Sequence, residues 1–190
     1  MLRRLMCFLI TPVLLALSVA PAWANDDTDA INIFKNAGES GGFFHSAYGY
    51  AVFPDVGKGG AGIGGAYGSG RVYEKGKVIG EAKMTQVSLG LQLGGQEYSE
   101  IIFFRDEHAL KQFTSGNFEF SADASAVAIT SAASASASTT GSSAGASGGK
   151  KDATTSGSYD KAGMATFTVA KGGLMFQAAV GGQKFSYKAH

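Results

Sequence analysis

The feature that most constrains the fold is a glycine-punctuated stretch, residues 57–104, in which β-forming side chains alternate with polar ones. The alternation is clearest over residues 78–89 and 98–104, and a period of two is typical of strands with one buried face. Residues 74–77, Glu-Lys-Gly-Lys, separate two such runs and have hairpin chemistry, because glycine adopts positive φ without steric cost. The stretch therefore predicts neighbouring strands of an antiparallel sheet.

Short helices are predicted on either side of this stretch in the chain. Residues 26–37 carry an apolar stripe that ends before Gly38, and Asp27 or Asp29 can cap the start of the helix. Residues 106–113 have acidic residues in the first turn. The predicted fold class is α+β and β-rich: a single domain of antiparallel sheet, as a curled sheet, a sandwich or a partly closed barrel, with two or three short helices on its edges.

Further strands are predicted outside the central stretch. The first, residues 47–53, is expected to end at Pro54, because proline removes a donor from the ladder. Residues 133–157 are rich in Ala, Ser and Gly and are predicted to form a flexible loop. The remaining predicted strands are residues 118–120, 121–132, 166–170, 174–180 and 184–187.

One short motif occurs twice. Gly-Gly-Gln stands at residues 94–96 and again at 181–183, each time followed one residue later by an aromatic residue and a serine. Two hairpins that need the same turn would account for the repeat, and so would an old duplication of one hairpin.

The first 24 residues have the pattern of a signal peptide. Arg3 and Arg4 precede an apolar run over residues 5–20, and Ala-Trp-Ala at residues 22–24 is a small-x-small cleavage site. An uncleaved membrane anchor is disfavoured, because the apolar run is short for a span of ~20 residues. We therefore predict a cleaved signal peptide over residues 1–24, a mature domain over 25–190, and export to the periplasm or cell envelope.

Charge and cysteine usage narrow the function classes. Removing Arg3 and Arg4 from the 16 basic residues leaves 14 against 15 acidic ones, which argues against a general nucleic-acid binder. The basic residues are concentrated in residues 57–88 and 124–190, so that these segments would form a basic face if they were adjacent. The single cysteine, Cys7, lies in the signal peptide, and no disulfide is expected in the mature chain.

Motifs that suggest catalysis lack their structural context. Residues 60–65 match the dinucleotide pattern G-x-G-x-x-G, but the residues that follow do not start a helix. Residues 141–145 match the G-x-S-x-G pattern inside a low-complexity tract without the strand-to-helix turn that strains the serine. The three histidines have no metal-ligand spacing. No catalytic residue, metal or cofactor is predicted.

Two phenylalanine pairs, Phe43-Phe44 and Phe103-Phe104, stand out among the apolar residues. Adjacent residues of a strand face opposite sides, so one ring of Phe103-Phe104 enters the core and the other needs cover. The helix at residues 106–113 could supply that cover. Alternatively, the second ring contacts lipid.

Several blocks of the chain resemble the SYLF lipid-binding domain family. They are residues 48–60 and 64–73, followed by Phe103-Phe104 and residues 113–120 and 170–175. The resemblance covers about residues 30–188 and implies lipid binding. Eukaryotic relatives combine the domain with SH3 or FYVE modules, bind phosphoinositides and take part in actin-linked membrane remodelling. This chain carries neither module, so actin and a particular phosphoinositide are not carried over.

The resulting hypothesis is a non-enzymatic protein that docks on an anionic phospholipid or membrane surface. Nucleic acid and actin are not expected as partners, and the sequence leaves the oligomeric state open. The alternatives are a small outer-membrane β-barrel or structural envelope protein, and an enzyme with a dispersed site. The predicted lipid-binding residues are a basic face and the aromatic pairs: Lys58, Arg71, Lys75, Lys77, Lys171, Phe43, Phe44, Phe103 and Phe104.

Overall fold

The structure is a computed structural model that describes residues 23–61, 63–89, 96–121, 124, 126–129, 158–171 and 180–190. Four helices are present in these residues: α1 Trp23–Asn36, α2 Gly38–Gly41, α3 Phe43–Ser46 and α4 Glu107–Phe113. The strands are β1 Gly49–Ala61, β2 Ile63–Glu74, β3 Lys77–Leu89, β4 Gln96–Phe104, β5 Phe118–Glu119, β6 Val127–Ile129, β7 Met164–Lys171 and β8 Gln183–Ala189.

All of these strands belong to one sheet, in the order β5-β8-β3-β2-β1-β4-β7-β6. The sheet is curled into a half-barrel, which confirms the predicted fold class. Neighbouring strands are antiparallel except for β6 and β7, which pair in parallel from Val127 opposite Phe167 to Ile129 opposite Val169. The predicted hairpin at residues 74–77 joins β2 to β3, with positive φ at Lys75 and Gly76.

Two predicted element boundaries are wrong. Strand β1 does not end at Pro54 but runs on to Ala61, because a bulge between Val52 and Asp55 takes the proline out of the regular register. Helix α1 is already helical at Trp23, so Asp27 lies inside it rather than at its cap. The Asp27 carboxylate is buried and has a tertiary partner, described below.

Glycines of β2 let the sheet curl tightly. A Cβ at Gly68 would lie 2.9 Å from Val56 Cγ2, and a Cβ at Gly70 would overlap the Val52 carbonyl oxygen and lie 2.7 Å from Phe53 Cδ1. Gly68 and Gly70 therefore permit close packing, as expected for a strand interior. β2 begins at Ile63, within the G-x-G-x-x-G match, so the match is followed by a strand and not by the helix that a dinucleotide site needs.

The two faces of the sheet bury separate hydrophobic clusters. The inner, concave face buries a cluster that includes Phe53, Ile102, Phe104 and Phe185 of the strands and Phe113 of α4. The outer face of β1, β4 and β7 is covered by α1–α3. That second cluster is formed by Phe34, Val52, Ile101, Phe103 and Phe167, with Phe43 and Phe44 packed against it.

Some sequence predictions lie outside the described residues. These are the signal peptide up to residue 22, the loop at 133–157 with the G-x-S-x-G match, the strand at 174–180 and the first Gly-Gly turn. None of the helices in the described ranges is long and apolar enough to span a bilayer.

Candidate functional site

The five predicted basic residues do not form one basic face. Lys75 and Lys77 belong to the β2–β3 turn, whereas Lys58 pairs with Ala66, which lies eight residues before Glu74, the last residue of β2. At the rise of an extended strand this separation is ~26 Å. Lys58 also follows Val56 by two residues and so shares its inner face, while Lys171 is exposed near the same end and forms an ion pair with Asp55.

Arg71 has a structural partner. Its Nη1 atom lies 2.9 Å from Asp27 Oδ2, and the Tyr73 hydroxyl donates to the same oxygen at 3.2 Å. Burial raises the pKa of Asp27, and the Arg71 charge opposes that rise. The guanidinium therefore fastens α1 to β2 instead of pointing freely to solvent.

The aromatic pairs are packed into the protein. Phe103 and Phe104 are fully buried, the first under α1–α3 and the second against Phe113 of α4 at a ring distance of 5.0 Å. The exposed position proposed for one of them is therefore wrong, because α1–α3 cover the outer face of β4 and α4 covers its inner face. Phe43 and Phe44 are half-buried and contact Phe103 at 5.3 and 4.9 Å.

An exposed surface remains on the outer face of β2, β3 and β8, which we call the β2–β3–β8 surface. It contains two of the largest exposed apolar side chains of the described residues, Tyr67 at 54% and Val87 at 75% of full exposure. The strand register aligns Tyr67, Thr85 and Lys184 across the three strands, with Glu119 of β5 next in the row. The next row toward the β2–β3 turn is Ser69, Lys83 and Ser186.

A groove of about 330 Å³ opens on this surface beside β5. Its lining includes two ammonium groups together with hydroxyl and amide side chains: Lys83, Thr85, Asn117, Lys184 and Ser186. Glu119 also lines the groove, and its carboxylate lies 3.5 Å from the Lys184 ammonium. No salt bridge to Lys83 occurs within the described part of the chain. The groove is thus rich in donors for an anionic group.

Sequence reasoning missed this surface because it chose basic residues by their position in the chain. Segments 57–88 and the last strand are adjacent, since β3 pairs with β8. Combining the adjacency with the alternation of each strand would have selected Lys83 and Lys184, which are both exposed, as residues of one face.

The described residues contain no group of three side chains that could hold a metal ion. Hydroxyls, ammonium groups and apolar side chains lie together on this open sheet face. The site therefore offers charge and apolar contact area to a partner surface.

Comparison with known proteins gives two results. A family model described as "Las17-binding protein actin regulator" (Ysc84) matches residues 85–189. Beta cell expansion factor A from Aeromonas veronii is 27% identical over 160 residues, which are 84% of this chain and 53% of that protein. The chain thus spans about half the length of this curated relative. Because the family model covers more than half of the chain, this protein belongs to the Ysc84 family of SYLF domains.

Proposed function

We propose that this protein associates reversibly with anionic lipid of the cell envelope after export, and that it binds without catalysing a reaction. Its family is one of lipid-binding or actin-linked regulators. The observation that carries the proposal is the β2–β3–β8 surface, where exposed Tyr67 and Val87 lie beside Lys83 and Lys184. The described helices α1–α3 cover the outer face of β1, β4 and β7 and leave the β2–β3–β8 surface open.

The chemistry of the surface favours a membrane over a neutral partner. Two lysines near an anionic leaflet contribute ~1 kcal/mol each. Partial burial of Tyr67 and Val87 adds roughly 2–4 kcal/mol. After the cost of ordering the protein on the surface, this total corresponds to about millimolar affinity for lipid. The donor-lined groove next to Lys83 has the size and polarity to receive a phosphate-bearing headgroup.

The turn lysines Lys75 and Lys77 serve as a matched comparison. Both are exposed, and they lie at the β2–β3 turn, away from Tyr67 and Val87. Lys75 Nζ lies over the Tyr48 ring at 4.8 Å. Neutralising either pair of lysines changes the net charge by the same amount, so only position distinguishes the two double variants.

Flotation with vesicles tests the proposal. Wild-type protein is expected to float with phosphatidylcholine vesicles that contain phosphatidylglycerol, and to be released by high salt. The double substitution Lys83→Gln and Lys184→Gln is expected to weaken partitioning roughly 30-fold, because two contributions of ~1 kcal/mol are lost. The double substitution Lys75→Gln and Lys77→Gln is expected to have a much smaller effect.

Other outcomes would contradict the proposal or assign the surface a different role. Equal recovery with neutral and anionic vesicles would remove the electrostatic part of the proposal. Equal loss in both double variants would remove the β2–β3–β8 surface as its specific location. If Val87→Ser abolishes self-association in sedimentation but leaves flotation intact, the surface joins two copies of the chain. Co-sedimentation with actin filaments in the absence of lipid would favour the actin-linked role instead.

A further inference from the structure

A carboxyl group and an amide meet inside the half-barrel, away from the β2–β3–β8 surface. Glu100 of β4 and Gln183 of β8 are both completely buried, and Gln183 Nε2 donates to Glu100 Oε2 at 2.9 Å. The two strands are separated in the sheet by β3, β2 and β1, so the contact crosses the concave interior. It is a bridge between side chains and not part of a strand ladder.

Each of these two side chains has one oxygen left over. Glu100 Oε1 and Gln183 Oε1 have no hydrogen-bond partner among the described residues. Two buried acceptors that face no donor are costly in an apolar interior. A carboxylic acid and a primary amide can satisfy each other with two hydrogen bonds, one from the amide N–H and one from the acid O–H. The Glu100–Gln183 pair therefore needs one more proton to form its second hydrogen bond, and Glu100 is the group that can carry that proton.

The surroundings of Glu100 supply no opposing charge. Its cross-strand partners are Phe53 on β1 and Thr168 on β7. Burial raises the pKa of Glu100 to about 7, and only the Gln183 hydrogen bond opposes that rise. Among the described residues, the titratable groups that line or pack against the inner face include Tyr98 of β4, whose pKa is raised first by burial and then by Glu100 and is lowered by a hydrogen bond with Gln183. They also include the half-exposed Lys58 of β1, Tyr187 of β8, which donates to the Ile79 carbonyl oxygen, and Tyr48, which donates to the Glu74 carboxylate.

We propose that Glu100 is a neutral acid in the closed half-barrel and is doubly hydrogen-bonded to Gln183, so that loss of its proton opens the end of the sheet where β8 begins. On ionisation, the second hydrogen bond is lost, and Glu100 Oε1 and Gln183 Oε1 are left as two buried acceptors without a donor among the described residues. A fully buried carboxylate is then left with the amide as its only hydrogen-bond donor among the described residues. Entry of water relieves this cost, and the proton is released to that water.

The start of β8 is the part of the sheet that is expected to separate from its neighbours first. β8 lies next to the edge of the sheet, and its outer neighbour β5 is only two residues long. The turn before β8 has positive φ at Gly182, and Gln86 Nε2 holds it through the Gly181 carbonyl oxygen at 2.9 Å. If the bridge to Glu100 is weakened, the ring of Phe185, which packs on Phe53, Phe113 and Phe118, becomes accessible to water. This device does not depend on the proposed lipid binding.

Substitution Glu100→Gln tests the proposal, because an amide at this position keeps both hydrogen bonds and cannot ionise. The matched control is Glu97→Gln, the same chemical change at an exposed position of the same strand. A carboxyl group whose pKa is raised in the folded protein contributes its full stability below the pKa that it has in the unfolded chain. This contribution is lost as the pH rises to the pKa of the group in the folded protein. Between pH 4.5 and about 7, the unfolding equilibrium constant of wild type and Glu97→Gln should rise by roughly 300-fold relative to Glu100→Gln, and then level off.

Two direct readouts keep the proposal testable even if Glu100→Gln folds poorly. The carboxyl carbon of Glu100 in the wild-type protein is expected to titrate in carbon NMR with a midpoint near 7, well above the usual range of a glutamate. Binding of a hydrophobic dye should increase through the same pH range in wild type and Glu97→Gln but not in Glu100→Gln. A carboxyl midpoint below about 5, or identical pH profiles of stability for the two variants, would overturn the inference.

Discussion

Arg71 is predicted from the sequence to contact lipid, but in the structure it forms an ion pair with Asp27. Substituting Arg71 gives the clearest test of this structural role. The Asp27 and Arg71 side chains are 6% and 19% exposed and lie 2.9 Å apart. Removing one partner of a buried ion pair costs ~3–5 kcal/mol, and a hydrogen bond to a charged group is worth ~1.5–3 kcal/mol. Because Arg71 is partly solvated, we expect Arg71→Ala to lower the free energy of unfolding by about 2–3 kcal/mol.

A double-mutant cycle isolates the contact. Asp27→Asn keeps an acceptor for the Tyr73 hydroxyl and should cost less than Arg71→Ala. The double variant should recover ~1–2 kcal/mol relative to the sum of the single changes, as measured by urea unfolding. The cost of Arg71→Ala should also shrink as pH falls through the raised pKa of Asp27, because a neutral Asp27 no longer needs the guanidinium. If the losses of unfolding free energy in the two single variants simply add in the double variant, the ion pair does not hold α1 against the sheet.

Vesicle binding by the same variants separates a fastening role from a direct contact with lipid. If Arg71 touched an anionic headgroup, Arg71→Ala would weaken binding and Asp27→Asn, which removes a negative charge, would strengthen it. If the pair fastens α1, Arg71→Ala should weaken vesicle binding no more than Lys75→Gln, which removes the same charge at the β2–β3 turn. A clearly larger loss in Arg71→Ala would therefore restore Arg71 as a lipid-binding residue.

Three further predictions concern packing and capping. Gly70→Ala should lower stability by about 1–3 kcal/mol because its Cβ meets Val52 and Phe53, whereas Gly57→Ala, with no atom within 4 Å, should be nearly neutral in chemical denaturation. Phe113→Ala should cost ~3–5 kcal/mol because the buried ring packs on Phe104 and Phe185, and a loss no larger than that of a surface change would contradict this packing. Asp106→Ala should lower the melting temperature more than Asp106→Asn does, since the Asp106 side chain caps α4 by accepting a hydrogen bond from the Ala109 N–H at Oδ1.

Much of the sheet could be predicted because alternation and turn chemistry are local. The turn at Lys75-Gly76 and the alternating run within β3 follow from a few neighbouring residues. The errors depend on distant partners. Asp27 looked like a helix cap because Arg71 is far away in the sequence, and Pro54 looked like a strand end because the bulge becomes visible only against the neighbouring strands.

The site could be predicted only in part, since chain position does not show which face a side chain occupies. Lys58 and Lys75 looked like neighbours in one basic segment, yet they lie at opposite ends of the sheet. Lys184 required the pairing of β8 with β3, which alternation alone does not give. Gln183 was interpreted as part of a repeated turn motif, and its contact with Glu100 depends on the curl of the whole sheet.

That curl explains why a glycine-rich stretch produces a buried acid. Glycines of β2 and β3 lie opposite bulky inner side chains: a Cβ at Gly68 would meet Val56, and one at Gly80 would lie 2.6 Å from the Tyr187 ring. Because these positions are empty, neighbouring strands can lean over them, and the sheet bends until β8 faces β4. Glycines such as Gly68 and Gly80 thus help to shape the interior, and this interior is narrow enough for Gln183 to reach Glu100.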